Sequence, residues 1–262
     1  MSHYALITGA SGGLGLALAE ALARRGHNLI LVARQREALE SVAFELSQRF
    51  GVEALYRVCD LAEPMQVNGL IQELEQGERR IELLVNNAGI GSAGLFTELD
   101  WGREQELIEL NVLALARLCH GIGRMMVAQG SGQILNVASM AAFQPGPLMS
   151  NYFASKAYVL SLSEGLRNEL APHKVKVSVL CPGPVATGFF RRAALYSGAM
   201  ERQKLLASPE EIALLAVRGL EKNRAIIIPG WRNRLLPPLL RLTPRALARR
   251  IAMRMIKPLL PR

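Results

Sequence analysis

Two side chains that could move a proton lie four residues apart in the segment Tyr152-Phe153-Ala154-Ser155-Lys156. Four residues is about one helical turn, so in a helix the phenol and the ammonium would share one face. A nearby ammonium favours the phenolate form, which makes the pair a candidate for acid–base chemistry. The spacing alone is weak evidence, because five tyrosines and six lysines would give such a pair by chance in about one sequence of nine. The alternative is a surface lysine beneath a partly buried tyrosine.

A glycine-rich stretch, Thr8-Gly9-Ala10-Ser11-Gly12-Gly13-Leu14-Gly15, follows the first apolar run and leads into a helical pattern. Glycines allow a tight turn and a close backbone approach to a pyrophosphate, and the helix N-terminus supplies free N–H groups. An ordinary strand–helix turn is the alternative. The position after the first strand of a βαβ unit favours a dinucleotide site.

The end of the second apolar run indicates which dinucleotide is bound. An NAD site usually has Asp or Glu there to bind the ribose 2′-hydroxyl, but this chain has Leu31-Val32-Ala33-Arg34-Gln35-Arg36. Ala33 removes a charge that would repel a 2′-phosphate, and Arg34 can bind that phosphate with paired donors. The sequence therefore predicts NADP(H) in preference to NAD(H), with a solvated Arg34 opening a helix as the alternative.

The elements that must position these residues are short apolar runs alternating with helical patterns. The runs are largely continuous, as expected of strands covered on both faces. Such alternation predicts a parallel sheet with right-handed crossovers. The predicted strands are Tyr4–Thr8, Asn28–Ala33, Ala54–Cys59, Leu83–Asn86, Gln133–Ala138, Val175–Leu180 and Ala225–Pro229.

The expected fold class is α/β, a single-domain Rossmann-type doubly wound sheet of about seven strands with helices on both faces. We expect the domain to span residues 1–230, with a substrate loop at about 188–207 and a basic extension over 231–262. Ser208-Pro209-Glu210-Glu211 has a cap residue, a proline and an acid in the order typical of a helix start.

Over about residues 4 to 230 the chain resembles the short-chain dehydrogenase/reductase family. Besides the glycine stretch and the Tyr152/Lys156 pair, further motifs follow in the family's order and spacing. They are Asp60 after the third strand, Asn86-Asn87-Ala88-Gly89 after the fourth, Asn111 in the long helix, Ser139 after the fifth, and Pro182-Gly183-Pro184-Val185-Ala186-Thr187 after the sixth.

The resemblance implies a catalytic set of Asn111, Ser139, Tyr152 and Lys156. Tyr152 would be the general acid for reduction and the base for oxidation, and Ser139 would align the substrate oxygen. A Lys156 ammonium about 5 Å from the phenol would lower its pKa by roughly two units. Asn111 would shape a helix kink that holds a proton-relay water, with a satisfied core amide as the alternative.

The resemblance also implies which residues hold the cofactor. Lys156 would bind the nicotinamide ribose, Val185 and Thr187 the carboxamide, and Asp60 the adenine, although an Asp after a strand is often only a helix cap. The implied cofactor-binding residues are Gly9, Ser11, Gly13, Leu14, Gly15, Arg34, Asp60, Leu61, Asn87, Ala88, Gly89, Tyr152, Lys156, Pro182, Gly183, Val185 and Thr187.

Composition limits the remaining classes of function. Three widely spaced cysteines predict no disulfide framework, and the four histidines show no metal spacing, so we expect a cytoplasmic protein without a metal. No secretory signal or membrane-spanning run is evident. The net charge of +9 comes from the C-terminus, because 11 basic and no acidic residues follow Glu221. Nucleic-acid binding would rest on this charge alone.

The C-terminal extension contains a helical pattern from Arg245 to Lys257. Leu247, Ala248, Ile251 and Met255 share one face of it, and basic residues occupy the other side. Such a helix can lie on an anionic membrane surface. The alternative is a helix packed on the enzyme body, a subunit or the substrate cleft.

The sequence thus predicts an oxidoreductase that moves a hydride between NADP(H) and a small carbonyl or alcohol substrate. Phe143, Leu148, Met149 and the apolar loop after Thr187 favour an apolar substrate. Reduction of 3-oxoacyl thioesters is an alternative, for which Arg191, Arg192 and the extension would contact a phosphopantetheine or carrier. A redox sensor that binds NADP(H) without turnover is the other. The resemblance implies a homodimer or homotetramer.

Overall fold

The computed structural model describes residues 3–193, 195 and 206–260. Within them, seven strands form one parallel sheet in the order β3-β2-β1-β4-β5-β6-β7. The predicted doubly wound α/β fold is therefore confirmed. The strands are β1 His3–Thr8, β2 Asn28–Ala33, β3 Ala54–Val58, β4 Arg80–Asn86, β5 Gly132–Val137, β6 Val175–Leu180 and β7 Ile226–Ile227.

The boundaries differ from the predicted ones mainly at two strands. β4 begins three residues before its predicted start, and β7 is two residues long instead of five. β7 lies at the edge of the sheet and pairs only with β6, Val179 to Ile226 and Leu180 to Ile227. Pro229 cannot donate a ladder hydrogen bond, which limits pairing there.

The sheet is covered on both faces because its strands carry apolar side chains on both. In β1, Tyr4 and Leu6 pack into one hydrophobic cluster, whereas Ala5 and Ile7 pack into the cluster on the opposite face. This alternation follows from the two-residue period of a strand. It explains why the strands appear in the sequence as continuous apolar runs.

Helices connect successive strands and cover both faces. A π-helical stretch over Glu109–Ala114 joins α4 to α5. Ser208 caps α8 by accepting from the Glu211 N–H at 3.2 Å, with Pro209 at the first turn, as predicted. The helices are α1 Gly13–Ala23, α2 Arg36–Phe50, α3 Pro64–Gln76, α4 Trp101–Ile108, α5 Leu115–Gln129, α6 Ser150–Leu170, α7 Phe189–Arg192, α8 Pro209–Glu221, α9 Trp231–Leu242 and α10 Arg245–Ile256.

The topology places a crevice at the carboxyl edge of the sheet. β1 lies between β2 and β4, so the crossovers leave β1 in opposite directions. In doubly wound sheets ligands bind at this switch point, outside the carboxyl ends of the strands. The loops after β1, β4, β5 and β6, which carry the motifs, all lie at this edge.

The C-terminal extension forms two helices, α9 and α10. The apolar face predicted for α10 is buried only in part: Ala248 is buried, whereas Leu247, Ile251 and Met255 are exposed. Ala248 instead shares the buried side of the helix with Ala252 and Ile256. Small alanine side chains allow a close approach of the helix, so packing selects them over the larger apolar residues. None of the helices in the described residues is long and apolar enough to cross a membrane.

Candidate active site

A cavity of about 710 Å³ opens at the carboxyl edge of the sheet. It brings together residues from the loops after β1, β4, β5 and β6 and from α6. The predicted site residues that line it are Gly9, Gly13, Leu14, Gly15, Asn87, Ala88, Gly89, Ser139, Tyr152, Lys156, Pro182, Gly183, Val185 and Thr187. The predicted residues that do not line it are Ser11, Arg34, Asp60, Leu61 and Asn111.

The glycine turn after β1 leaves no room for a side chain at Gly9 or Gly15. Gly9 and Gly13 have positive φ angles of 66° and 56°. A Cβ on Gly15 would lie 2.1 Å from the Gly9 carbonyl oxygen, so the first turn of α1 packs directly against the end of β1. Gly12, at the N-cap of α1, provides no side-chain cap. The N–H groups at the start of α1 thus face the crevice without a side-chain partner, which fits a pyrophosphate.

Thr8 ties the loop after β4 to the loop after β1. Its hydroxyl oxygen accepts from the N–H groups of Asn87 and Ala88 at 2.9 and 3.0 Å. The Asn87 amide donates back to the Thr8 carbonyl at 2.9 Å. These bonds fix the two walls of the cofactor crevice relative to each other. The sequence indicated the motif residues but not this link, because it joins positions about 80 residues apart.

Tyr152 and Lys156 lie one turn apart on α6, as the spacing predicted. The Lys156 Nζ is 5.9 Å from the centre of the Tyr152 ring and donates to the Val137 carbonyl at 3.0 Å. Ser139, at the end of β5, accepts from the Ala141 N–H at 3.1 Å, which fixes the orientation of its hydroxyl. Three chemically useful groups therefore meet at one side of the cavity.

The pKa of Tyr152 is raised to about 12, because burial disfavours the phenolate more than the Ser139 hydroxyl favours it. This shift is opposite to the one expected from the Tyr152–Lys156 spacing. Burial likewise lowers the pKa of Lys156 to about 8, against a smaller raising effect of Cys181. Without a ligand, tyrosine in this cavity is a protonated acid at neutral pH.

Asn111 lies in the π-helical stretch and is almost completely buried. Its Oδ1 accepts from the Ile90 N–H at 3.0 Å, and its Nδ2 donates to the Ile90 carbonyl at 2.9 Å and to the Ser155 hydroxyl at 3.1 Å. Both polar atoms of the side chain have hydrogen-bond partners in the protein. This agrees with the alternative in which Asn111 is a core amide whose hydrogen bonds are satisfied. The proton-relay water stays a prediction.

Arg34 and Asp60 lie beyond the ends of β2 and β3, where the sequence predicted the adenosine part of the cofactor. The Arg34 Nη1 is 3.7 Å from the Asp60 Oδ2 and 3.1 Å from the Glu106 Oε1. The other oxygen of Glu106 contacts Arg103. Asp60 also accepts from the Ala62 N–H at 3.0 Å, within the turn before α3. Glu106 is a neighbour of Arg34 that the sequence did not indicate, since 72 residues separate them.

The other side of the cavity is apolar. Phe189 lies 5.2 Å from Tyr152 and 5.7 Å from Phe190, measured between ring centres. Met149, Leu195 and Ile256 belong to the same buried cluster. The remaining part of the predicted substrate loop, 196–205, and the side chains of Arg191 and Arg192 lie outside the described residues.

The C-terminal extension supplies much of this apolar wall. The sequence is compatible with an extension that meets the body, a subunit, the cleft or a membrane. In the structure the extension packs on the body and against the cleft. Extension residues that line the cavity are Asn233, Leu236, Ala252, Met255, Ile256, Pro258 and Leu259. Ala252 and Ile256 are not part of the apolar face that the sequence predicts for this helix. Across the described residues, no group of three or more potential metal ligands is found.

The comparisons with known proteins agree with this geometry. A family model described as short chain dehydrogenase matches residues 3–195. A short-chain dehydrogenase from Sphingobium yanoikuyae, solved in complex with NADPH, is 32% identical with a TM-score of 0.82 and covers 94% of this chain and 98% of its own.

Two further proteins are similar. The bulky-bulky ketone specific alcohol dehydrogenase from Comamonas testosteroni is 29% identical with a TM-score of 0.77, over 94% of this chain and 96% of its own. The 3-oxoacyl-(acyl-carrier-protein) reductase FabG of Aquifex aeolicus is 31% identical over 217 residues, 79% of this chain and 86% of the relative.

Proposed function

This chain belongs to the short-chain dehydrogenase family, and from that membership we propose that it is an NADP(H)-dependent oxidoreductase acting on apolar carbonyls or alcohols. The observation that carries the proposal is the meeting of Ser139, Tyr152 and Lys156 in one cavity with the glycine cradle after β1. A protein that only senses NADP(H) has no need of this arrangement opposite an apolar wall.

The residues of the cavity divide the chemistry of reduction. NADPH, when bound, supplies the hydride that is added to the carbonyl carbon. As the C=O electron pair moves onto oxygen, that oxygen takes the proton from the Tyr152 hydroxyl, and the product is an alcohol. The Ser139 hydroxyl donates to the same oxygen and aligns it. Lys156, still largely protonated at neutral pH, stabilises the phenolate left on Tyr152 until solvent returns the proton.

At neutral pH, Tyr152 is in the protonation state that reduction requires. With a pKa of about 12, Tyr152 holds its proton at neutral pH and is ready to act as an acid. Oxidation of an alcohol would need the phenolate, which burial disfavours. A positively charged nicotinamide ring would offset part of that cost, so the same tyrosine would serve as the base for oxidation.

The preference for NADP(H) over NAD(H) is supported by Arg34 and by the absence of an acid at the end of β2. Arg34 is held by Asp60 and Glu106 at the place where the 2′-phosphate would lie. A dianionic phosphate would replace the Glu106 carboxylate as the partner of Arg34. The NADPH complex of the Sphingobium relative is consistent with this assignment.

The size and lining of the cavity support a bulky apolar substrate, and the Comamonas relative is named for bulky ketones. The test is NADPH oxidation across ketones of rising bulk, with NADH in parallel. We expect kcat/KM to rise with apolar bulk and to be higher with NADPH. Turnover restricted to short polar ketones would contradict the proposal.

A second candidate function is reduction of 3-oxoacyl thioesters, as in the Aquifex relative. A groove of about 730 Å³ adjoins the cavity through Gln144 and Phe153, and Arg241, Arg245 and Arg249 line it. These cations could hold the phosphate of a phosphopantetheine. If they do, a 3-oxoacyl pantetheine phosphate will be reduced much faster than its unphosphorylated form, and Arg245→Gln with Arg249→Gln will abolish the difference.

The homodimer or homotetramer implied by the family and a cytoplasmic location are further parts of the proposal. Light scattering, which measures the mass of the protein in solution, tests whether it forms a dimer or a tetramer.

A further inference from the structure

Helix α9 carries a row of large apolar side chains that face away from the body. Trp231, Leu235, Leu239 and Leu242 follow each other at spacings of three or four residues, so they lie on one helix face. All four are exposed, from 60% for Leu235 to 86% for Leu242. Leu236, on the other side of the helix, packs against the hydrophobic core. The exposed row therefore does not contribute to the apolar packing that holds α9 on the body.

Helix α10 repeats the arrangement. Its inner side is already occupied by Ala248, Ala252 and Ile256. Leu247, Ile251 and Met255 form a second row at four-residue spacing and are exposed by 49%, 45% and 64%. Seven large apolar side chains on two adjoining helices exceed the scattered exposure normal for a protein surface. We name the two rows together the tail surface.

Charge around the tail surface is of one sign. α9 carries Arg232, Arg234 and Arg241, and α10 carries Arg245, Arg249, Arg250 and Arg254, with no acid on either helix. None of these arginines takes part in an ion pair among the described residues. Apolar rows flanked by arginines are the pattern of helices that lie in the plane of an anionic membrane.

The tail surface adjoins the substrate cavity. Met255 is exposed in the second row and also lines the cavity, together with Ala252 and Ile256 from the inner side of α10. One helix thus separates the apolar interior of the cavity from the tail surface. Whatever binds the tail surface is in contact with a wall of the site.

We propose that the tail surface docks on an anionic lipid bilayer and holds the substrate cavity next to it. The charge identifies the occupant: two copies joined through their tail surfaces would bring many arginines together without counter-charges, which is unfavourable. Anionic headgroups supply those charges, and the acyl region accepts the protruding rows. This inference goes beyond the proposed reaction and does not depend on it.

The experiment is co-sedimentation of the full chain with vesicles of phosphatidylcholine, alone or mixed with phosphatidylglycerol. We expect binding to the mixed vesicles that weakens as salt is raised. Leu235→Ser with Leu239→Ser should lower the partition coefficient at least about tenfold. Arg250→Gln with Arg254→Gln should lower it roughly fivefold for each arginine. None of these four residues lines the cavity, so NADPH binding and thermal stability should be unchanged.

Matched variants outside the tail surface provide the control. Leu214→Ser with Leu215→Ser removes two partly exposed leucines from α8, and Arg124→Gln with Lys222→Gln removes the same charge from the body. Both should bind vesicles nearly as well as the unchanged chain. Equal sedimentation with neutral and mixed vesicles would overturn the proposal, as would equal losses in control and tail variants. So would a concentration-dependent dimer that only the leucine variant of α9 abolishes. Since sedimentation needs no turnover, its failure is distinct from failure of the proposed reaction.

Discussion

The two walls of the cavity are built in different ways. The cofactor wall consists of backbone turns at the ends of β1, β4 and β6, packed so closely that a Cβ on Gly15 would meet the Gly9 oxygen at 2.1 Å. The substrate wall consists of side chains from α7 and from the C-terminal helices α9 and α10. The cofactor wall is positioned by the strands of the sheet, whereas the substrate wall is formed by helices that pack around the sheet. We therefore expect cofactor binding to depend on the fold and substrate choice to depend on the extension.

The largest expected effect is on the cofactor wall. Gly15→Ala forces a Cβ against the Gly9 carbonyl, so the start of α1 must move away from the crevice. We expect NADPH affinity to fall at least about 100-fold, which corresponds to about 2.7 kcal/mol. Fluorescence titration of NADPH measures it. Gly69→Ala, in α3 with open space around the Cβ and no positive φ, is the control for a general cost of replacing glycine. Unchanged NADPH affinity in Gly15→Ala would remove the distinction between the two walls.

The buried charge on Lys156 makes a second prediction. A folded-state pKa lowered to about 8 means that the unfolded chain holds more protons between about pH 8 and 10.5, so this residue's destabilising effect fades as pH rises through that window. Relative to Lys156→Met, the unchanged protein should gain about 2 kcal/mol of unfolding free energy from pH 8 to 10. Urea titrations at both pH values give the difference. The Cys181 pKa of about 12 is lowered by the Lys156 charge and would rise further without it, so this thiol stays protonated up to pH 10 in both folded proteins and its contribution cancels. A constant difference would show that Lys156 is not buried as described.

On the substrate wall, a change should alter selectivity without altering cofactor binding. Ala252 is buried and lines the cavity, so Ala252→Leu adds volume where the bulky part of a substrate would lie. We expect kcat/KM for the bulkiest ketones to fall about tenfold relative to small ones. NADPH affinity should stay the same. Ala246→Leu, exposed on the same helix, is the control. A parallel loss for all ketones and for NADPH would mean that the walls are not independent.

The smallest expected effect concerns Glu106, which pairs with Arg34 beside the predicted 2′-phosphate site. Glu106→Gln removes a charge that competes with the phosphate, so the KM for NADPH should fall about three- to fivefold. The KM for NADH should not change, and Glu40→Gln on α2 should leave both unchanged. Steady-state kinetics with the two cofactors test this. A rise in the KM for NADPH would show that Glu106 holds Arg34 in place instead of competing for it.

The sequence predicts the cofactor wall better than it predicts the substrate wall. Gly9, Gly15, Ser139, Tyr152 and Lys156 are found from local motifs because each is required by the backbone or the chemistry at its own position. The parallel doubly wound sheet follows from the alternation of strands and helices. These features depend on residues near one another in the chain, and the five residues line one cavity in the structure.

Other features depend on contacts between distant segments. The periodicity of α10 predicted an apolar face that includes Leu247, Ala248 and Ile251, but packing buries only Ala248 of these three, together with Ala252 and Ile256. The pairing of Arg34 with Glu106 and the raised pKa of Tyr152 also arise only once distant elements meet. Local spacing predicted the opposite shift for Tyr152, because it counted the charge of Lys156 but not the loss of water around the phenol.

The measurement that tests the central claim most directly is a single turnover of NADPH bound to the protein, with the best ketone from the panel, in the unchanged chain and in Tyr152→Phe. We expect the rate of NADPH oxidation to fall by about 10²- to 10⁴-fold in the variant while NADPH affinity stays the same. An unchanged rate would contradict Tyr152 as the proton donor and, with it, the assignment of the cavity as the active site.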